Sequence, residues 1–134
     1  MKVFLSFSLA DSEWVGEFAD SLRDGGFDVL RWDTGVFSPG ETTEESFRRS
    51  LESADILVPI LTERSVRNPS VMFEIGFARG LRKSVVSVVL SAEGERPAIP
   101  SDLSGQLVIR ASSPRQAAEQ MKRYAAFRDD DKKA

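Results

Sequence analysis

Five short β-prone segments alternate with helical segments along this chain of 134 residues, and this alternation constrains the fold more than any other feature. The most apolar segment, Ile-Leu-Val-Pro-Ile-Leu at residues 56–61, is typical of a central strand in a parallel sheet. Pro59 removes a ladder hydrogen bond there, so we expect a strand end or a bulge. The pattern predicts a three-layer, flavodoxin-like α/β fold, with a five-stranded parallel sheet of order 2-1-3-4-5 and helices on both faces.

Capping signals set the expected limits of the helices. Asp11 is expected to cap the first helix, which the glycine pair at residues 25–26 ends. Thr42 and Glu45 have the spacing of a capping box for the second helix. The last helix is expected to reach about Phe127. We therefore predict one domain over residues 1–128 and a disordered tail over residues 129–134.

A lone carboxylate stands on the helix that follows the third strand. Asn68 suits the cap and Pro69 the first turn of this helix, and Glu74 lies among apolar neighbours. Glu74 could pair with a cation from elsewhere in the fold, point past the helix edge into water, or act as a functional group in a pocket. Gly76 and Gly80 each cost roughly 1 kcal/mol relative to alanine in a helix. Such a cost suggests close packing against another backbone.

Composition excludes several kinds of chemistry. The chain has no cysteine and no histidine, so thiolate catalysis, disulfides and the commonest metal ligand and general base are excluded. A formal net charge of −3 offers no basic patch for nucleic acid. No apolar run approaches the roughly 18 residues of a membrane span, and the N-terminus does not resemble a signal peptide. We expect a cytoplasmic protein with neither nucleic-acid nor membrane partners.

Several functions known for such sheets fail against the residues at the strand ends. A response-regulator receiver needs acidic residues after the first and third strands, where this chain has Ser6-Phe7-Ser8 and Leu61-Thr62. P-loop and dinucleotide fingerprints are absent from the sequence. A carboxylate with hydroxyl and aromatic groups suits cleavage of an N-glycosidic bond, because the carboxylate can stabilise an oxocarbenium-like sugar, bind ribose or act as a nucleophile. Such a reaction requires no cofactor or metal.

Separate segments, in the right order, resemble Toll/interleukin-1 receptor (TIR) domains over roughly residues 2–90. Residues 3–7 with Asp11 resemble the opening strand and helix of these domains. Asp33, Pro39 and Gly40 resemble the loop after their second strand, which is called the BB loop. The third segment contains Glu74. Glu74 falls where enzymatically active TIR domains keep their catalytic glutamate.

The resemblance implies an activity and a set of site residues. In bacterial NAD-cleaving members the glutamate acts in breaking the nicotinamide–ribose bond, which gives nicotinamide with ADP-ribose or a cyclised isomer. Phe7 would lie near the nicotinamide, with Ser8 and Asp33 also near substrate. Ser70 occupies the position, four residues before the glutamate, where many TIR domains have tryptophan. NAD⁺ would be a substrate, with no cofactor and no metal.

The resemblance also implies partners and leaves two alternatives open. TIR domains self-associate, and the expected contact segment is the BB loop with Gly35, Val36, Phe37, Pro39 and Gly40. A role in bacterial antiphage immune signalling, activated by self-association, is implied in the same way. One alternative is a non-catalytic interaction scaffold. The other is an N-glycosidase similar to nucleoside 2-deoxyribosyltransferases, which have a comparable glutamate segment.

Overall fold

The computed structural model describes residues 1–31, 39–90 and 107–133. The strands and α-helices of these residues follow one another along the chain as β1 (Lys2–Ser6), α1 (Ser12–Asp24), β2 (Asp28–Arg31), α2 (Thr43–Ser53), β3 (Ile56–Leu61), α3 (Pro69–Gly80), β4 (Ser84–Leu90), β5 (Leu107–Ala111) and α4 (Pro114–Lys133). Single turns of 3-10 helix precede α1 at Leu9–Asp11 and α3 at Ser65–Arg67. Four residues for which the family resemblance implies substrate or partner contacts lie outside the described residues, namely Asp33, Gly35, Val36 and Phe37.

The five strands form one parallel sheet of order β2-β1-β3-β4-β5. This is the predicted order 2-1-3-4-5, and the predicted flavodoxin-like fold is confirmed. β1 and β3 are neighbours, with Val3 opposite Ile56 and Ser6 opposite Pro59. The C-terminal ends of these two strands therefore lie side by side at the switch point where ligands bind in such sheets.

A hydrophobic core lies on each face of the sheet. On one face Val3 and Leu5 of β1 pack with residues of α1 and α4. On the other face Phe4 packs with residues of α2 and α3. Side chains alternate between the faces along a strand, so Ser6 shares the face of Phe4 and points toward the α2 and α3 layer.

The expectation of a strand end or bulge at Pro59 is wrong. β3 runs through Pro59, and all six of its residues are buried. Pairing with β4 stops after Leu57, which lies opposite Val85, and resumes in the same register at Ile60, which lies opposite Val88. Packing on both faces keeps the strand in line, and the proline interrupts its ladder for only part of its length.

Most of the helix ends predicted from capping residues are found in the structure. Thr42 Oγ1 accepts a hydrogen bond from the Glu45 backbone N–H at 3.1 Å, and Glu45 Oε2 accepts one from the Thr42 N–H at 3.0 Å, which confirms the capping box. Gly25 caps the end of α1, and Gly26 follows with a φ of +91°. The expected cap at Asp11 is wrong in one respect: Asp11 takes the N-cap position of α1, but its side chain makes no capping hydrogen bond.

The last helix is longer than the sequence pattern predicts. α4 extends to Lys133, past the expected end near Phe127. The last residues of the chain are charged and include no glycine or proline that would end a helix, so the helix continues through them. The division into a domain of residues 1–128 and a tail of residues 129–134 stays a prediction. Within the part of the chain that the structure describes, no helix combines the length and the apolar character needed to cross a membrane.

Candidate active site

The third helix, α3, begins where the sequence predicts and carries Glu74 on its buried side. Asn68 Oδ1 accepts a hydrogen bond from the Ser70 N–H at 2.9 Å, and Pro69 is the first helical residue. Val71, Ile75 and Ala78 are buried against the sheet. Glu74 shares that side of the helix and is only 3% exposed. Of the possibilities left open by the sequence, a carboxylate pointing into water is therefore excluded.

The Glu74 carboxylate is held by the end of β1. The Ser6 hydroxyl donates a hydrogen bond to Glu74 Oε2, and both side chains are buried. Ser6 is the last residue of β1, so the carboxylate lies at the C-terminal edge of the sheet. This bond fixes the orientation of the carboxylate relative to the sheet.

A cavity of about 410 Å³ opens beside this carboxylate, between the N-terminal turns of α2 and α3. Its lining combines two carboxylates, two phenyl rings and small polar groups, contributed by Thr43, Glu44, Phe47, Pro69, Ser70, Phe73 and Glu74. Phe47 is buried and makes edge contacts with Phe4 and Phe77. Phe73 is 55% exposed, and the centroid of its ring lies 5.7 Å from that of Phe77. A flat ring with an attached sugar matches this mixture of groups.

The acidic residues around the start of α2 differ in their contacts. Arg49 donates hydrogen bonds to Glu41, and Ser46 donates another at 2.8 Å. These hydrogen bonds, that of Arg49 first, hold the pKa of Glu41 below its ordinary value. Glu45 is engaged in the capping box. Glu44 lines the cavity without a hydrogen-bond or ion-pair partner among residues 1–31, 39–90 and 107–133.

A second buried carboxylate, that of Asp11, connects two chain segments next to the site. Asp11 is 8% exposed and accepts hydrogen bonds from Thr62 Oγ1 at 2.8 Å and from the Arg64 guanidinium at 3.1 Å. Thr62 and Ser65 also exchange hydrogen bonds between backbone N–H groups and side-chain oxygens. The connection after β1 is thus tied to the connection that leads into α3. Asp11 holds these two segments together instead of capping its own helix.

The structure brings two of the sequence-predicted site residues together at the cavity. Glu74 and Ser70 line the same cavity. Phe7 is 6% exposed and packs in the core on the α1 and α4 face, with the Arg31 guanidinium carbon 5.4 Å from its ring centroid. Ser8 follows β1 at the start of a 3-10 turn, where its carbonyl accepts a hydrogen bond from the Asp11 N–H at 2.8 Å. Neither Phe7 nor Ser8 lines the cavity, and their roles stay predictions, as does that of Asp33.

Sequence reasoning placed Ser6 at a strand end without assigning it to Glu74, and it missed the contribution of α2. Strand alternation contained the signal for Ser6, because Phe4 and Ser6 must share a face. Thr43, Glu44 and Phe47 come from a helix whose N-terminus approaches that of α3 only in the folded chain. Within the described ranges, no group of three or more acidic side chains is arranged to hold a metal ion.

Fold and site together define a doubly wound α/β domain with a buried glutamate at the C-terminal edge of its sheet. A family model described as TIR domain matches residues 3–126. The chain belongs to the TIR domain family. No curated protein matches the sequence at a significant level.

Solved structures similar to this chain share its fold at low sequence identity. The TIR domain of the Toll-related receptor TRR-2 from Hydra magnipapillata is 14% identical, with a TM-score of 0.71 and 95% of each chain covered. The CMP N-glycosidase BcmB from Clostridium botulinum is 18% identical, with a TM-score of 0.63, and the match covers 92% of this chain and 99% of that one. The TIR domains of the activated Roq1 resistosome are 17% identical, with a TM-score of 0.58 and coverages of 98% and 75%.

Proposed function

We propose that this TIR domain is an NAD⁺ glycohydrolase of the bacterial NAD-cleaving type, with Glu74 as its catalytic carboxylate. The observation that carries the proposal is the buried Glu74, oriented by the Ser6 hydroxyl and open to a cavity of about 410 Å³ at the C-terminal edge of the sheet. In a doubly wound sheet this edge is where ligands bind. A buried carboxylate in a cavity is also a common mark of a functional site.

The carboxylate suits the charge changes of N-glycosidic cleavage. As the bond between ribose C1′ and the nicotinamide nitrogen breaks, its electron pair moves to the ring, and neutral nicotinamide leaves. Positive charge then develops on the ribose, where the Glu74 carboxylate stabilises it. Water adds to C1′ and loses a proton to give ADP-ribose, or a nucleophilic atom of the adenine adds to give a cyclised product. No cofactor takes part.

The direct test is nicotinamide release from NAD⁺, with chromatography of the products. Glu74→Gln keeps the shape of the side chain and removes its charge, and we expect it to abolish release. Thermal unfolding of the variant must show that the fold is retained. A folded Glu74→Gln protein as active as the wild type would contradict the assignment, and the product peak of the wild type separates hydrolysis from cyclisation.

A second candidate is an N-glycosidase acting on nucleosides or nucleotides, as expected from the likeness to nucleoside 2-deoxyribosyltransferases. The similarity to a CMP N-glycosidase over nearly the whole chain favours it as the runner-up. The same assay with CMP in place of NAD⁺ distinguishes the two candidates. Release of cytosine without release of nicotinamide would replace the first proposal by the second.

Self-association is the third part of the proposal, with the BB loop as the contact segment. Within it Pro39 and Gly40 form an exposed turn ahead of α2, and Gly40 has a φ of +85°. If assembly activates the enzyme, specific activity rises with protein concentration. Constant specific activity over a wide dilution series would contradict activation by assembly. Inactivity at every concentration, with the fold intact, would favour the scaffold alternative.

The biological setting belongs to the same proposal. A cytoplasmic effector in bacterial antiphage immune signalling is what the family resemblance supports. Its expected consequence is a fall in cellular NAD⁺ when the wild-type chain is overproduced in bacteria. Overproduced Glu74→Gln protein should leave NAD⁺ at the level of cells without the protein.

A further inference from the structure

Three glutamates lie at the start of α2, and one of them, Glu44, lines the cavity. Among the described residues Glu44 has no cation or hydrogen-bond donor as a partner. Glu41 is bound by Arg49, and Glu45 closes the capping box. Glu44 is exposed and has neither kind of contact there, yet it lines the same cavity as Glu74. Its carboxylate is thus available to a ligand.

The charged side chains that line the cavity, among the described residues, are all acidic. The lining contains two carboxylates and, among the described residues, no lysine or arginine. In the described part of the chain, no side chain in this lining offers a positive charge to a phosphate group. A positively charged flat ring would be attracted by the carboxylates and by the face of an exposed phenyl ring such as Phe73.

We propose that Glu44 is a specificity-determining residue that favours substrates whose leaving ring carries a positive charge. The inference rests on the proposed function, because it takes this cavity as the place where the leaving ring binds. The nicotinamide ring of NAD⁺ is a cation before the bond breaks and neutral afterwards. Glu44 therefore attracts the substrate ring and loses that attraction to the product, which favours release of nicotinamide.

A purely structural role for Glu44 is the competing explanation. A carboxylate in the first turn of a helix interacts favourably with the helix dipole, and this needs no ligand. Glu13 provides a matched control, because it is an exposed carboxylate in the first turn of α1 and does not line the cavity. Glu13→Gln and Glu44→Gln remove the same charge from equivalent helix positions.

The test compares two probes that share one ring and differ in charge, namely 1-methylnicotinamide, a cation, and neutral nicotinamide. Each is titrated by NMR into wild type, Glu44→Gln and Glu13→Gln. We expect wild type and Glu13→Gln to bind the cation more tightly than the neutral ring. In Glu44→Gln the affinity for the cation should fall about 2- to 5-fold, the range typical of an exposed ion pair, while that for nicotinamide stays constant.

Turnover gives an independent measurement. Glu44→Gln should raise the KM for NAD⁺ by a similar 2- to 5-fold and change kcat much less. Equal binding of the two probes by wild type, or an unchanged preference in Glu44→Gln, would overturn the role of Glu44. Probe binding needs no catalysis, so a protein that prefers the cation but releases no nicotinamide from NAD⁺ would overturn the proposed function and leave the charge selectivity standing.

Discussion

Ser6 and Glu74 are 68 positions apart in the sequence, and the hydroxyl of one donates a hydrogen bond to the carboxylate of the other. The contact follows from the topology. β1 and β3 lie side by side, and α3 returns from β3 across the face of the sheet toward which Ser6 points. The donor stands on a strand and the acceptor on a helix, and both are rigid elements. The orientation of the carboxylate is therefore set by the sheet itself.

Loss of the Ser6 hydroxyl should lower catalysis more than substrate binding. In Ser6→Ala we expect kcat for nicotinamide release to fall by about 10-fold or more, because a carboxylate without its partner no longer holds one orientation. KM should change less, since Ser6 does not line the cavity. Stability should fall by about 1.5–3 kcal/mol, the usual contribution of a hydrogen bond to a charged group. Steady-state kinetics and urea unfolding measure the two effects.

Ser46→Ala is a matched control for Ser6→Ala. Ser46 is also a buried serine, and it donates to a carboxylate, that of Glu41, at 2.8 Å. It should lose less stability, because Glu41 keeps its hydrogen bonds from Arg49, and it should retain kcat. If kcat falls as far in Ser46→Ala as in Ser6→Ala, the Ser6 contact has no specific role in catalysis.

The contact between Arg49 and Glu41 predicts how stability depends on pH. Hydrogen bonds from Arg49, and then from Ser46, lower the pKa of Glu41 in the folded chain. A lowered pKa contributes stability above the ordinary glutamate value of about 4.3, and this contribution is lost as the pH falls through the folded value. The difference in unfolding free energy between wild type and Arg49→Ala should therefore be constant near neutral pH and shrink below about pH 4.3.

A double-mutant cycle checks the source of this pH dependence. In a Glu41→Gln background the carboxylate no longer titrates, so the effect of Arg49→Ala should be the same at every pH. Urea unfolding at several pH values gives all four free energies. A difference that still shrinks at low pH in this background would assign the effect to another acidic residue.

The sheet order could be predicted from the sequence because its signals are local. Five apolar or β-prone runs, most of them separated by helices with recognisable ends, leave few topologies for a chain of this length. The capping box at Thr42 and the start of α3 at Asn68 were predictable for the same reason. Pro59 was misjudged because propensity describes an isolated strand, whereas β3 is buried on both faces and follows its neighbours.

The site could be predicted only in part, because its contacts join distant segments. The acceptor role of Asp11 was hidden, since its partners Thr62 and Arg64 lie more than 50 positions away. The capping signals at Asn68 and Pro69 placed Glu74 correctly on α3, and its catalytic role stays a prediction. The cavity beside it could not be foreseen, because it depends on how closely the start of α2 approaches α3.

Two glycines with similar surroundings and different backbone angles should respond to alanine in opposite directions. Gly76 lies inside α3 and Gly26 just after α1, and among the described residues nothing lies within 4 Å of a Cβ built on either. Gly76→Ala should stabilise the fold by about 0.5–1 kcal/mol through helix propensity. Gly26 has a φ of +91°, so Gly26→Ala should destabilise it by about 1–2 kcal/mol. The midpoint of urea unfolding measures both changes.

This pair also tests the expectation of close backbone packing at Gly76 and Gly80, which the described residues do not bear out. Without a neighbour within 4 Å, a methyl group at Gly76 meets no obstacle, and only the gain in helix propensity remains. Gly26→Ala should lower stability although no neighbouring atom would clash with the new methyl group, because the positive φ of Gly26 is unfavourable for a residue with a side chain. Loss of stability in Gly76→Ala would show that another backbone does approach α3 at this position.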